Sequence, residues 1–127
     1  MKSILLDTHA WAWTLSGDSR LSTAALAALE RAETVLVSPV SFFEIGEKVR
    51  LGKWPEMVPF VNQLAPLLAE QGGSVAPLEP SICLNAAMMD WDHRDPFDRL
   101  LAATANYYGL PLVSADTAFD GRIPRIW

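Results

Sequence analysis

Four short apolar stretches, each bounded by turn-forming residues, punctuate this chain. They lie at residues 3–6, 35–37, 74–76 and 112–114. Because each stretch is brief and is enclosed by glycine, proline or polar residues, the pattern predicts four buried β-strands.

Helical patterns separate these strands. They lie at residues 8–15, 22–32, 39–51, 56–71, 80–91 and 95–108. Ser22 and Asp95 are typical N-cap residues, and Pro66 predicts a kink in the fourth helix. Strands that alternate with helices predict an α/β sandwich around a mainly parallel sheet. No repeat or linker divides the chain, so residues 1–127 are expected to form one domain.

Four acidic residues stand inside or at the end of apolar segments, where a solvated charge is not expected. They are Asp7, Glu44, Asp98 and Asp116. Asp7 and Asp116 follow the first and fourth predicted strands, and parallel α/β sheets bind ligands beyond the carboxyl ends of their strands. Burying a carboxylate is costly unless it is paired or bound to a cation. A shared divalent-metal site is therefore the first hypothesis.

Helix capping is the alternative explanation for most of these acids. Asp7, Asp95 and Asp116 each precede a helical stretch and can serve as N-caps, and Asp98 suits the first turn of its helix. Glu44 does not fit this explanation, because it lies well inside its helix among apolar side chains. The two roles are compatible, since a helix N-terminus keeps a carboxylate ionised, as a metal ligand must be.

Composition and charge restrict the substrates and the cellular compartment that the chain can be expected to have. The net charge of −5 argues weakly against nonspecific binding of nucleic acid, but bound metal ions would allow a phosphodiester substrate. The single cysteine, Cys83, excludes an internal disulfide and is expected to be a small core residue of a cytoplasmic protein. No targeting segment and no apolar run of about 20 residues is visible.

Oxygen ligands favour magnesium or manganese over zinc in such a site. The chain has only two histidines. His9, next to Asp7, is expected to be a hydrogen-bonded support. His93 lies in a polar loop, and we assign it no chemistry.

Five segments, in order, resemble the PIN domains, most of all the VapC-type toxins of bacterial type II toxin–antitoxin pairs. They are Leu-Leu-Asp-Thr-His-Ala-Trp at 5–11, Ser-Pro-Val-Ser-Phe-Phe-Glu-Ile at 38–45, Gly-Lys-Trp at 52–54, Arg-Asp-Pro-Phe-Asp-Arg-Leu-Leu-Ala-Ala at 94–103 and Leu-Val-Ser-Ala-Asp at 112–116. The resemblance spans nearly the whole chain, and the segment at 94–103 is its most specific part. It implies a three-layer sandwich with a mainly parallel sheet of four to five short strands flanked by helices.

The resemblance also implies a magnesium- or manganese-dependent endoribonuclease. Its acidic quartet, both catalytic and metal-binding, falls on Asp7, Glu44, Asp98 and Asp116. Supporting positions are Asp95, Ser114 and Thr8, and Asp120 is either an outer ligand or a turn residue. By this resemblance, a metal-activated water would cleave RNA to 5′-phosphate and 3′-hydroxyl ends.

The partners implied are an RNA substrate, a second copy of the chain in a homodimer, and a small antitoxin (VapB-like) that places a basic side chain among the carboxylates. Candidate RNA contacts are Lys48, Arg50, Lys53 and Arg99. Arg99 could instead pair with Asp95 or a neighbouring acid. The apolar side of residues 56–68 is either a partner surface or an ordinary core-facing helix.

Two other classes of function are also compatible with the sequence. A non-enzymatic PIN module would bind RNA or protein without cutting, although its acidic set is usually incomplete. A phosphatase of the haloacid-dehalogenase type would also carry an aspartate after the first strand. That pattern expects a second acid two residues later, where this chain has His9.

Overall fold

A fully parallel five-stranded sheet forms the centre of the computed structural model, which describes residues 3–127. Its strands are β1 (Ser3–Leu6), β2 (Thr34–Val37), β3 (Ser74–Val75), β4 (Leu112–Val113) and β5 (Arg125–Ile126). The order across the sheet is β3-β2-β1-β4-β5, and every pairing is parallel. The four strands expected from the apolar pattern are confirmed. The pattern did not reveal β5.

The strand order reverses beside β1, and this reversal determines where a ligand can enter. From β1 the chain builds outward through β2 and β3, then returns to the other side of β1 for β4 and β5. The connections on the two sides of the reversal diverge, leaving a crevice at the carboxyl ends of β1 and β4. The Asp7 N–H donates to the Val113 carbonyl oxygen at 3.0 Å, so the ends of these two strands are held together.

Within residues 3–127, six α-helices connect and cover the strands. They are α1 (Thr8–Ser16), α2 (Thr23–Arg31), α3 (Pro39–Arg50), α4 (Leu64–Glu70), α5 (Pro80–Met88) and α6 (Pro96–Tyr108). Local sequence explains most of their ends. The Ser22 hydroxyl accepts from the Ala25 N–H at 3.0 Å, and Ser38 caps α3 in the same way. Gly109 ends α6 at φ +65°, a conformation that favours glycine.

The sheet separates two apolar layers, because successive side chains of a strand point to opposite faces. Ile4 and Leu6 of β1 pack into a cluster that includes Trp11 and Ile45, whereas Leu5 packs with Leu101 of α6 in another. The expected three-layer sandwich is therefore confirmed.

The helix expected at residues 56–71 is wrong in its first half. Two 3₁₀ turns, Pro55–Met57 and Val61–Gln63, precede α4. Pro59 lacks the N–H that a continuous α-helix over 56–71 would need, so the helix is interrupted there. Pro66 lies in the first turn of α4, where its missing N–H costs no helical bond. It therefore produces no kink.

Two further expectations, the burial of Cys83 and the end of α5, are wrong. Cys83 is exposed on α5, so it is not a core residue. The side of α5 that faces the protein is made by Ile82 and Ala86 instead, and α5 ends at Met88 rather than near residue 91. Among residues 3–127, no helix is long and apolar enough to cross a membrane.

Candidate active site

Four elements bring the acidic quartet into one cleft. Asp7 follows β1, Glu44 lies on α3, Asp98 lies on the first turn of α6, and Asp116 follows β4. The cleft has a volume of about 160 Å³, and its lining consists of Asp7, Thr8, His9, Glu44, Lys48, Asp95, Asp98, Leu101 and Asp116. The structure thus brings together all four acids that the sequence singled out, at the crevice beside β1 and β4.

Asp7 both caps a helix and faces the cleft. Its Oδ1 accepts from the Ala10 N–H at 2.7 Å, and the side chain is 8% exposed. Burial raises the pKa of Asp7 to about 6. Hydrogen bonds from Ser114 and the Ala10 N–H oppose this rise, and the charges of Asp98 and Glu44 add to it. Desolvation is therefore the main cost of ionising this carboxylate in the folded protein.

Glu44 is the most buried of the other acids, at 6% exposure on the inner side of α3. Its Oε2 accepts from Lys48 Nζ at 2.8 Å, one helical turn later. Lys48 also lies over the Trp54 ring, 5.3 Å from its centroid. It is the only lysine or arginine in the cleft lining across the described chain, so the acids outnumber the basic groups there.

Asp98 contacts a residue to which the sequence assigned no chemistry. Its Oδ2 lies 2.6 Å from His93 Nε2. Burial raises the pKa of Asp98, the hydrogen bond from His93 opposes this, and the negative charges of Asp95 and Asp116 add to the rise. The sequence signal for His93 was its place two residues before the N-cap Asp95, since a loop entering a helix can fold back over the first turn.

Asp116 and Asp95 show that capping and site roles coexist. Asp116 Oδ1 accepts from the Ala118 N–H at 2.9 Å, and Asp95 Oδ1 accepts from the Phe97 N–H at 2.8 Å. Both line the cleft. The hydroxyl of buried Ser114 accepts from the Asp116 N–H at 3.0 Å, which holds the chain just after β4.

Thr8 and His9 support the same region. The Thr8 and Ser41 hydroxyls are buried and lie 2.9 Å apart, so they link α1 to α3. Among residues 3–127 the hydrogen bond expected for the His9 side chain is not found; its ring instead packs against the Trp54 ring, 4.7 Å between centroids, and burial, with help from Lys48, lowers the pKa of His9. Asp120 lies outside the cleft lining and pairs with Arg125, whose Nε is 2.7 Å from its Oδ1.

The basic residues expected to contact RNA do not share one position. Lys48 lies in the cleft, whereas Arg50 and Lys53 are exposed and outside its lining. The structure contradicts both roles that the sequence suggested for Arg99, a contact with RNA and a pairing with Asp95. Its guanidinium donates to five backbone carbonyl groups, those of Ala86, Ala87, Met89, Trp91 and His93. It has no N–H left for a phosphate, and it is not paired with Asp95.

The donor set fits a hard divalent cation. Oxygen ligands dominate the cleft, and single ligand atoms of His93, Asp98 and Asp116 lie within 4.8 Å of one another. Burial is the main cause of the raised pKa values of Asp7 and Asp98, and the neighbouring carboxylates add to them; a bound cation would offset both effects.

Comparison with known proteins identifies the class. The model of the PIN domain family matches residues 4–122, and the chain therefore belongs to that family. Among individual relatives, it is 33% identical over 117 residues to Ribonuclease VapC22 of Mycobacterium tuberculosis (strain ATCC 25618 / H37Rv), which covers 91% of this chain and 88% of that protein.

Solved structures with the same fold include toxins. A toxin–antitoxin complex from Klebsiella pneumoniae superposes with a TM-score of 0.65 at 18% identity, covering 93% of this chain and 91% of the other. Mycobacterium tuberculosis VapC20, described as a Sarcin-Ricin loop cleaving toxin, gives 0.62 at 18% identity, covering 94% and 96%. VapBC2 from Rickettsia felis, bound to promoter DNA, gives 0.61 at 12% identity, covering 98% and 97%. At these identities the likeness shows the fold.

Proposed function

We propose that this protein is a metal-dependent endoribonuclease and the toxin of a type II toxin–antitoxin pair. The observation that carries the proposal is the convergence of four carboxylates in one cleft with a single lysine. Membership of the PIN family and the identity to Ribonuclease VapC22 support RNA as the substrate. We take residues 1–127 as one PIN domain, acting in the cytoplasm where RNA is available.

In this proposal Asp7, Glu44, Asp98 and Asp116 hold magnesium or manganese. When bound there, the ion supplies polarisation of the scissile phosphate and a coordinated water of lowered pKa. The chain's own residues prepare that site. The Ala10 N–H and Ser114 hold the carboxylate of Asp7 in place.

Lys48 is the cleft residue best placed to contact an RNA phosphate. Its Nζ is only partly buried and already lies beside a carboxylate, so it can turn from Glu44 to a phosphate oxygen when the substrate enters. Arg50 and Lys53 remain proposed contacts for more distant phosphates. They follow Lys48 at the end of α3 and beyond it, and both are exposed.

The experiment compares cleavage of a structured RNA by wild type, Asp7→Asn and Asp98→Asn, each with Mg²⁺ and with chelator. We expect cleavage only by wild type with metal. Asp18→Asn is the matched control, because Asp18 pairs with Arg20 outside the cleft. A small phosphate ester assayed in parallel separates this function from that of a phosphatase. Cleavage by either cleft variant, or in chelator, would refute the metal mechanism.

The antitoxin partner is supported by toxin–antitoxin complexes with the same fold. The acidic cleft gives a physical reason for inhibition, since a basic side chain placed among the carboxylates would take over the role of the metal charge. We expect the product of the neighbouring gene to inhibit cleavage. An unchanged rate and unchanged thermal stability at saturating partner would contradict the pairing.

We also propose a homodimer formed through an apolar face on α5 and α6. Leu84 is 62% exposed and Met88 76% exposed, and Met88 and Tyr107 of α6 line a groove of about 440 Å³. The apolar side of residues 56–68 is by contrast core-facing, because Met57, Leu64 and Leu68 lie in the core. Sedimentation velocity should show Met88→Glu as a monomer and wild type as a dimer. Val58→Glu, an exposed apolar position elsewhere, is the control expected to remain dimeric.

A further inference from the structure

The side chain of Arg99 organises the loop that joins α5 to α6. Nε donates to the Ala86 carbonyl at 2.8 Å, Nη1 donates to Trp91 and His93 at 2.8 and 2.9 Å, and Nη2 donates to Ala87 and Met89. A guanidinium has five N–H donors, so all of them are used. The carbonyl groups at the end of α5 and along the loop therefore converge on one rigid group.

This arrangement fixes His93 in three ways. Its carbonyl oxygen is held by Arg99, and its ring lies 4.9 Å from the ring of Trp91. The Trp91 ring in turn lies 5.9 Å from that of Phe119, which is fully buried. The remaining contact is between His93 Nε2 and Asp98 Oδ2, at 2.6 Å. Backbone and ring are thus both constrained before the imidazole reaches the carboxylate.

We infer that His93 is a positioning residue for Asp98, and that Arg99 sets the loop that aims it. The inference rests on the proposed function, since it assigns Asp98 to a metal ion. An ionised carboxylate can only accept hydrogen bonds, so Nε2 carries the donated proton. One oxygen of Asp98 is occupied in this way, and the other remains available for a cation.

The physical effect of the hydrogen bond from His93 is to orient the carboxylate of Asp98, whose charge the neighbouring carboxylates disfavour. Asp95 and Asp116 disfavour a charged Asp98, and the bond from His93 opposes them. Hydrogen-bonded partners of metal ligands fix ligand orientation, and their loss costs about 10–100-fold in metal affinity. Direct ligation by His93 is the competing arrangement. Ligation through Nε2 would require that atom to lose its proton and release Asp98.

The experiment measures Mn²⁺ binding by calorimetry, without RNA, in wild type, His93→Leu and His93→Gln. We expect His93→Leu to bind Mn²⁺ about 10–100-fold more weakly. His93→Gln should stay within about threefold of wild type, because the glutamine amide nitrogen can donate from nearly the same place. Electron spin-echo spectroscopy of bound Mn²⁺ in wild type should show no coupling to an imidazole nitrogen.

A second experiment tests whether Arg99 holds the loop between α5 and α6 in place. Arg99→Lys should raise amide hydrogen exchange at residues 89–93 and weaken Mn²⁺ binding, whereas His93→Leu should leave that exchange close to wild type. Arg94→Met is the matched control, because Arg94 is an exposed arginine of the same loop, outside the cleft lining, and both readouts should be unchanged.

Failure of the inference can be separated from failure of the proposed function. Wild-type Mn²⁺ affinity in His93→Leu, or a nitrogen coupling in wild type, overturns the positioning role even if wild type cleaves RNA. Dependence of Mn²⁺ binding on His93 in a protein that cuts no RNA upholds positioning and rejects the ribonuclease. A wild-type protein that does not bind Mn²⁺ overturns both.

Discussion

Lys48 Nζ lies 2.8 Å from Glu44 Oε2, so the single lysine of the acidic cleft is paired with the quartet member on its own helix. This pair is only partly shielded from water, and it can be exchanged for a contact with a substrate phosphate. Lys48 is thus the residue of the acidic cleft that would contact a phosphate of the bound RNA.

Lys48→Met tests this link through kinetics. The variant removes the ammonium group but keeps an unbranched side chain over Trp54. We expect KM for RNA to rise about 10–150-fold, which corresponds to the roughly 1.5–3 kcal/mol of a lost charged hydrogen bond, while kcat falls less. Lys53→Met, which removes an exposed charge outside the cleft lining, should change KM less. Equal effects of the two variants would indicate a diffuse electrostatic attraction instead of a contact at Lys48.

Asp7→Asn should stabilise the metal-free protein. The pKa of Asp7 is raised to about 6 in the fold, so the folded state binds this proton more tightly than the unfolded state. The ionised form therefore lowers stability above pH 6, and the penalty is relieved as pH falls towards 4. At pH 7.5 in chelator, Asn should raise the free energy of unfolding by about 1–3 kcal/mol, measured by urea denaturation. Asparagine also preserves the cap of α1.

The control for this stability effect is Asp116→Asn, because Asp116 is exposed and suffers less desolvation. Its change should be the smaller of the two. Saturating Mg²⁺ should reverse the order of wild type and Asp7→Asn, since only wild type retains the full ligand set and gains binding free energy. Destabilisation by Asp7→Asn in chelator would contradict the raised pKa.

Metal affinity should fall in acid. A metal ligand must be deprotonated, and in the metal-free protein Asp7 takes up its proton near pH 6. We expect Mn²⁺ to bind at pH 5 about tenfold or more weakly than at pH 7.5. Calorimetry in buffers of different ionisation enthalpy should detect proton release near pH 6. The same affinity at pH 5 and 7.5 would exclude Asp7 as a ligand of this pKa.

The buried hydroxyl pair Thr8–Ser41 should affect stability more than chemistry. Thr8→Val keeps the volume of the side chain but leaves the Ser41 hydroxyl without its 2.9 Å partner, at a cost of about 1–2 kcal/mol. Ser41→Ala should cost a similar amount. The double variant should cost less than the sum, because neither polar group is then left unpaired. Strict additivity in urea denaturation would show that the two hydroxyls are not coupled.

Local patterns predicted most of the fold. Ser22 and Asp95 cap the helices that they were expected to cap, and the four apolar stretches are strands. These features depend on hydrogen bonds and burial within a few residues. β5 was missed because its two residues, Arg125 and Ile126, carry no apolar run. Their strand exists only because β4 offers an edge with which to pair.

The order of residues along the chain is enough to show that four acids stand in apolar surroundings and that capping does not explain Glu44. How these acids are used depends on which strands pair with one another. The parallel pairing of β1 with β4 brings Asp7 and Asp116 to one crevice, through contacts more than a hundred residues apart. The contacts of His93 and Arg99 join residues only 5 to 13 positions apart, yet they too depend on the fold of the loop. Loop geometry, which no local pattern encodes, decides whether a polar side chain of the loop contacts an acid. It also decides whether an arginine binds carbonyl groups or is free to bind phosphate.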